Sequence, residues 1–303
     1  MTDVVASGRP VALRWPKRPR WRSHLHGSDL GWSIAFVAPY AALFAAFAIY
    51  PMLYALWMGS DPALFAELVS DPRYVRAAIN TVLFVGLAVN LQMVAALLLS
   101  GFFMRRRWWI KALLVIYILP WTLPAVPVYL SFHWMLVAYP QGLLDNLVTA
   151  LFGIEGPFWF NHGWLALLCD IVADVWKWLP LWTLILLGGR MAIPQDLYDA
   201  ADVDGASAWQ RFTYVTMPLL ASLYVVSTLI SAIWTFGDYS PVLFVSAGTP
   251  AFESEVVSTL GFHYALDFAN PPLAVAAGLS LLPLLIPLMI LVVRRLQRIE
   301  VQL

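Results

Sequence analysis

The chain alternates long uncharged apolar runs with short charged clusters, and the runs are too long for the helices of a soluble core. Residues 30–60, between Asp29 and Asp61, carry no charge and predict a first helix near 32–57. The runs 77–104 and 112–144 predict a second helix and a third, the third near 112–137. A fourth extends from Trp164 to Gly188, although it contains Asp170, Asp174 and Lys177; a fifth lies near 218–238 and a sixth near 273–293. Each approaches the roughly 20 apolar residues needed to cross a hydrocarbon core about 30 Å thick. The pattern therefore predicts an all-α membrane protein with six transmembrane helices. Prolines within the runs (120, 124, 127, 180, 283, 287) are compatible with bundled spans, where neighbours and water satisfy the freed carbonyls.

Charge sets the orientation. Arg9, Arg14, Lys17, Arg18, Arg20 and Arg22 precede the first run, and Arg105, Arg106, Arg107 and Lys111 fall between the second and third. Arg190 and Arg211 flank the loop after the fourth run, and Arg294, Arg295 and Arg298 follow the sixth. Fifteen basic residues thus fall on one side, while the other side has only Arg73 and Arg76. By the positive-inside rule, both termini and the 190–216 loop are expected to be cytoplasmic. The first run is too long for the 7–15-residue core of a cleaved signal peptide, so it is expected to remain as a span. Trp32, Trp57, Trp108, Trp109 and Trp164 stand near span ends, where tryptophan anchors at the interface.

Composition agrees: hydrophobic residues make up 61% of 303 and charged residues 12%, too few to cover a soluble domain. The single cysteine, Cys169, excludes an intrachain disulfide, and the five histidines include no pair at a metal-helix spacing. Neither a nucleophile elbow nor a phosphate-binding GxxxxGK[ST] loop is found, so an enzymatic role is not expected and any ATP is bound by another chain.

The loop after the fourth run carries the most local detail. Pro194 suits a first helical turn, and Leu197, Ala200, Ala201 and Asp204 follow one helical face made mostly of small residues. Gly205 suits the left-handed residue that ends a helix, and Ser207 with Gln210 has the spacing of a capping box that opens a second helix toward Pro218. A small-residue face admits a partner closely. Four aspartates (196, 199, 202, 204) against Arg190 and Arg211 favour a partner with a basic rim.

These residues resemble the E-A-A-x3-G-x9-I-x-L-P signature of ABC-importer permeases. Asp199-Ala200-Ala201, Gly205, Val215, Met217 and Pro218 keep every spacing, with Asp for Glu, Val for Ile and Met for Leu. Val175-Trp176-Lys177-Trp178-Leu179-Pro180, Ser246-Ala247-Gly248-Thr249-Pro250 and the segment from Ser258 to Tyr264 further resemble carbohydrate permeases, specifically the larger permease subunit of the maltose-transporter type. The resemblance implies that the loop is the coupling helix docked on an ATPase, through Leu197, Asp199, Ala200, Ala201, Asp204, Gly205 and Ala206. It implies a sugar pocket at Lys177, Trp178, Leu181, Ser231, Trp234, Thr235 and Asp238.

Read from the residues alone, Asp170, Asp174 and Lys177 share one helical face, since they stand at i, i+4 and i+7. Two readings fit: a polar stripe along the solute path, or an Asp174–Lys177 ion pair that orients the helix. Ser231, Trp234, Thr235 and Asp238 also share a face, an aromatic plate beside hydrogen-bonding groups of the kind sugars require. Trp234 as packing and Ser231 as a helix-contact residue is the alternative.

The resemblance implies an assembly of this chain with a second permease subunit, two ATPase subunits and an extracytoplasmic solute-binding protein in the bacterial cytoplasmic (inner) membrane. ATP and Mg would bind the ATPase, no cofactor is expected in this chain, and no nucleic acid is expected as a partner. Residues 1–30 would be a cytoplasmic basic tail, 31–296 the permease domain and 297–303 a cytoplasmic C-terminal tail. A polyol or sugar phosphate is the alternative cargo. An ion-coupled carrier using Asp170, Asp174 and Asp238 is the alternative mechanism, and the coupling loop argues against it.

Overall fold

The structure is a computed structural model that describes residues 27–105, 107–138, 142–154, 156–283, 285–287, 289–290 and 293–294. The basic tail, Arg106, Arg295, Arg298 and the 297–303 segment lie outside the described residues. Every regular element described is helical. One compact unit ends at Tyr54; it holds α1 (Gly27–Phe44), a π turn (Ala45–Ile49) and the start of α2 (Tyr50–Met58). Gly31–Met58 runs as one apolar helix, close to the expected first span, and none of its apolar window is buried.

The second unit, from Ala55 onward, opens with two helices started by the same dipeptide. Asp61 caps α3 (Pro62–Ser70) by accepting from the Ala63 amide at 2.9 Å, and Asp71 caps α4 (Pro72–Phe103) by accepting from the Arg73 amide at 2.9 Å. Proline follows each cap, where its missing N–H costs nothing. After α4 come α5 (Trp108–Thr122), α6 (Ala125–Leu136), α7 (Leu143–Phe152) and α8 (Gly163–Met191). Then follow α9 (Gln195–Val203), α10 (Ala208–Arg211), a π turn (Phe212–Thr216) and α11 (Met217–Gly237). A π turn (Val242–Ser246), α12 (Val257–Leu266) and α13 (Pro271–Ser280) complete the unit.

The core is built from α4, α8 and α11. Val89, Met93, Ala96 and Leu97 pack with Trp182, Leu186 and Leu220 in one buried cluster. A Cβ at Gly189 would lie 2.3 Å from Leu223 and 2.8 Å from Leu220, so glycine there lets α8 approach α11. A second cluster joins Phe84 and Ala88 to Leu167, Ile171, Val242 and Val256.

Two expectations are corrected. The third span is not one straight helix: α5 and α6 meet at a 97° bend around Leu123 and Pro124. The fifth begins ten residues before Pro218, because α10, the π turn and α11 form one continuous helix, Ala208–Gly237. A π turn just before a proline lets the helix absorb the amide that proline lacks. Among the described residues, four helices are long and apolar enough to span a membrane, or five if the bent pair is one span. The sixth run appears as a shorter apolar helix, Pro271–Pro287, whose continuation passes residues outside the description.

Candidate functional site

The loop between α8 and α11 is built entirely from local signals. Pro194 is the residue before α9 rather than inside its first turn, with φ −57° and ψ 133°. No residue of α9 is buried. Gly205 takes φ +76°, its amide donates to Asp202 at 3.1 Å, and the Ala206 amide donates to Ala201 at 2.9 Å. That pair of bonds is the Schellman termination, which needs a left-handed residue and therefore selects glycine. Two residues later Ser207 Oγ accepts from the Gln210 amide at 3.3 Å, while Gln210 Oε1 accepts from the Ser207 amide at 2.7 Å. The expected capping box is present in both directions.

The two helices are braced across the glycine. Arg211 pairs with Asp202, and Tyr198 shares a 2.9 Å hydrogen bond with Thr216. Asp196, Asp199 and Asp204 remain exposed, as does Leu197. Arg190 does not share that exposure. It sits in the last turn of α8, buried, with Nη2 donating to the Leu97 carbonyl at 2.8 Å and its guanidinium over the Phe212 ring. One end of α8 is thus fixed to α4 and to the π turn that follows α10.

Elsewhere on α8 the structure removes one of the two readings of its ionisable face. Asp174 and Lys177 do not pair. Asp174 accepts from Gln92 of α4 at 2.8 Å and from Tyr129 of α6 at 3.3 Å. Lys177 Nζ donates to the carbonyls of Pro120 (2.9 Å), Trp121 (3.0 Å) and Leu123. Asp170 accepts from Ser246 at 2.8 Å, and Ser246 in turn shares a hydrogen bond with Ser254. All three α8 residues are buried. For Asp174 and Lys177 the physical reason is that a buried carboxylate or ammonium needs several hydrogen bonds, and the neighbouring helices offer more partners than one facing side chain.

The seven residues implied as a sugar pocket do not share one surface. Trp234 is half exposed, with its ring centroid 5.7 Å from both Trp178 and Trp182. Trp178, Leu181 and Asp238 are partly accessible. Asp238 closes α11 and accepts from the Ser240 amide at 2.8 Å, leaving Oδ2 for another donor. Ser231, Thr235 and Lys177 turn inward: Ser231 donates to Gln92 at 3.0 Å, and Thr235 is 6% exposed. α11 presents Ser231 to α4, where a small side chain lets the helices touch. The accessible remainder is a tryptophan plate and, four residues beyond Trp234 at the end of α11, the Asp238 carboxylate.

Sequence reasoning missed Gln92 and Tyr129, which connect Ser231, Asp174 and the bent span. An amide side chain in a mostly apolar run was the available signal, since a buried amide requires partners. At the far end of the unit, Glu255 is buried with His263 Nε2 3.4 Å away. Burial pushes its carboxyl up to about 7, with His263 and Arg73 pulling down and Asp71 pushing up.

Comparison with known proteins identifies this architecture. Residues 92–301 match the family described as binding-protein-dependent transport system inner membrane component. The trehalose/maltose transport system permease protein of Thermococcus litoralis is 31% identical over 66% of this chain and 67% of its own length. The sulfoquinovosyl glycerol transport system permease protein of Agrobacterium fabrum is 29% identical over 77% of this chain and 79% of its own. The lactose transport system permease protein of Rhizobium radiobacter is 27% identical over 80% of this chain and 84% of its own. A solved bacterial ABC transporter involved in import of the acidic polysaccharide alginate superimposes with a TM-score of 0.80 at 21% identity, over 90% of this chain and 97% of that one, a likeness of fold. The chain belongs to the family of binding-protein-dependent transport system inner membrane components, as a transport subunit and not an enzyme.

Proposed function

We propose that this chain is a sugar-translocating permease subunit whose 190–216 loop couples it to a separate ATPase. The observation that carries this reading is the loop itself. An exposed α9 with a small, acidic face ends in a glycine-dependent cap, and it joins α8 to the continuous Ala208–Gly237 helix. A push on Leu197, Asp199, Ala200, Ala201, Asp204, Gly205 or Ala206 would therefore reach two spans at once. The cargo class is supported by the relatives, whose names specify trehalose or maltose, lactose and sulfoquinovosyl glycerol. Trp178, Leu181, Trp234 and Asp238 are proposed to line the sugar path, with Trp234 stacking on the apolar face of a ring.

The proposed assembly is a complex in the bacterial inner membrane. Six spans cross it, both termini are cytoplasmic, residues 1–30 and 297–303 are tails, and 31–296 form the permease domain. The chain pairs with a second permease, two ATPase subunits that hold ATP and Mg, and an extracytoplasmic sugar-binding protein. The test is reconstitution of the assembled complex in vesicles. Uptake should require both hydrolysable ATP and the sugar-loaded binding protein, and should survive collapse of proton and sodium gradients. Uptake that persists without ATP and stops with the gradients would refute the proposal.

A further inference from the structure

Three prolines crowd the bend of the third span, and their positions decide which backbone groups lack partners. A helical carbonyl is normally served by the amide four residues on. For Pro120 that amide would belong to Pro124, which has none, and because α5 ends at Thr122 and Leu123 is extended, the Trp121 and Leu123 carbonyls have no amide from their own helix either. In an apolar bundle such carbonyls need another donor. Lys177 is that donor: its ammonium has three N–H groups, and they go to Pro120, Trp121 and Leu123. A cation there also opposes the negative end of the α5 dipole.

One turn earlier on α8, Asp174 holds the other arm of the bend. It accepts from Tyr129, which stands on α6, and from Gln92 on α4. The second arm then packs onward: Tyr129 and Leu136 of α6 share a buried cluster with Cys169, Ala173 and Val245, and His133 Nδ1 lies 2.6 Å from the Val245 carbonyl. The angle of α6 therefore sets the seat of the 242–246 turn, which also receives Asp170 through Ser246.

We propose that Lys177 and Asp174 are positioning residues for transport. Together they fix the bend of the third span, Lys177 by serving the three carbonyls that the end of α5 and Pro124 leave without amides, and Asp174 by anchoring Tyr129 of α6. Lys177 then acts on the chain's own backbone and not on the cargo. This inference goes beyond the sugar reading and does not depend on which solute is carried.

The experiment uses the assembled complex with Cys169→Ala and spin labels at positions 115 and 134, both exposed, one on each arm. With a rise of about 1.5 Å per residue, these positions are about 19 Å apart on helix axes bent as here and about 28 Å apart on a straight helix. Lys177→Met should lengthen and broaden the distance distribution. Uptake at saturating substrate should fall about tenfold or more, the consequence of leaving buried acceptors unserved. The half-saturating concentration should stay within about twofold, because no substrate contact is lost. Adding Pro124→Ala and Pro127→Ala to Lys177→Met should narrow the distribution again at the longer distance, without restoring uptake. Lys177→Arg should retain more of the native distance than Lys177→Gln. If Lys177→Met fails to assemble, that order decides, and equal native distributions in both variants overturn the proposal. An unaltered distribution in Lys177→Met with a raised half-saturating concentration also overturns it, assigning the ammonium to the cargo. Failure of the sugar reading would leave the distances unaffected.

Discussion

Replacing Gly205 tests the coupling loop at the one residue whose backbone conformation the loop requires. Its φ of +76° is in the left-handed region, and a Cβ built there meets nothing within 4 Å. The cost of a side chain is therefore conformational and not steric contact with the rest of the protein. For an L-residue that cost is about 1–2 kcal/mol, and a β-branched side chain falls at the upper end. If only the Schellman geometry presents α9 correctly, the competent loop population falls about 5- to 30-fold in Gly205→Val. Asparagine tolerates the left-handed region, so Gly205→Asn should retain most of the function. The assay is ATP hydrolysis stimulated by the loaded binding protein, in a complex whose subunit ratio is checked first. Folding of this chain should be preserved, since Gly205 is exposed and its Cβ direction is open. Binding of sugar by the isolated receptor should not change. Normal stimulated hydrolysis and transport in Gly205→Val would refute the coupling role, and equal loss in Gly205→Val and Gly205→Asn would refute the conformational reasoning.

Three further outcomes are expected. In a Cys169→Ala background, single cysteines at 145–160 and 250–268 should react with an impermeant reagent from outside, and those at 105–111 and 196–207 should not; external labelling at 207 would reverse the topology. Trp234→Ala and Asp238→Ala should weaken sugar handling about 5- to 150-fold, the effect of losing a buried partner worth about 1–3 kcal/mol, while basal ATPase and assembly persist; unchanged uptake in both would move the sugar path elsewhere. Glu255 has its carboxyl raised from 4.5 to about 7, so the folded chain holds a proton that the unfolded chain releases, and its contribution to stability is present below pH 4.5 and declines as pH rises through about 7. Glu255→Gln should flatten that decline in thermal unfolding between pH 5 and 8 in roughly the window set by the shift, and an unchanged pH profile would remove Glu255 as its source.

Much of this protein is encoded locally, and those parts were legible. An apolar run long enough to cross lipid must be helical, because only a helix satisfies its own backbone there. The first, second and fourth spans accordingly appear within a few residues of their expected limits. Gly205, Ser207 and Gln210 were equally readable, since a cap is satisfied within three or four residues of itself.

What the sequence could not decide was which distant group each buried polar side chain meets. Asp174 and Lys177 stand one turn apart, and sequence spacing alone makes an ion pair plausible. Only tertiary packing brings Gln92, Tyr129 and the proline-interrupted carbonyls to them. The same holds for Ser231 and Thr235, whose helical face is fixed by periodicity but whose direction is fixed by how α11 rotates against α4. A buried polar group settles where it finds hydrogen-bond partners, and for Gln92, Asp174 and Lys177 those partners come from helices far apart in the chain. Local pattern therefore determined the spans and the caps, and tertiary structure determined the bend, the buried polar connections and which residues remain accessible to a solute.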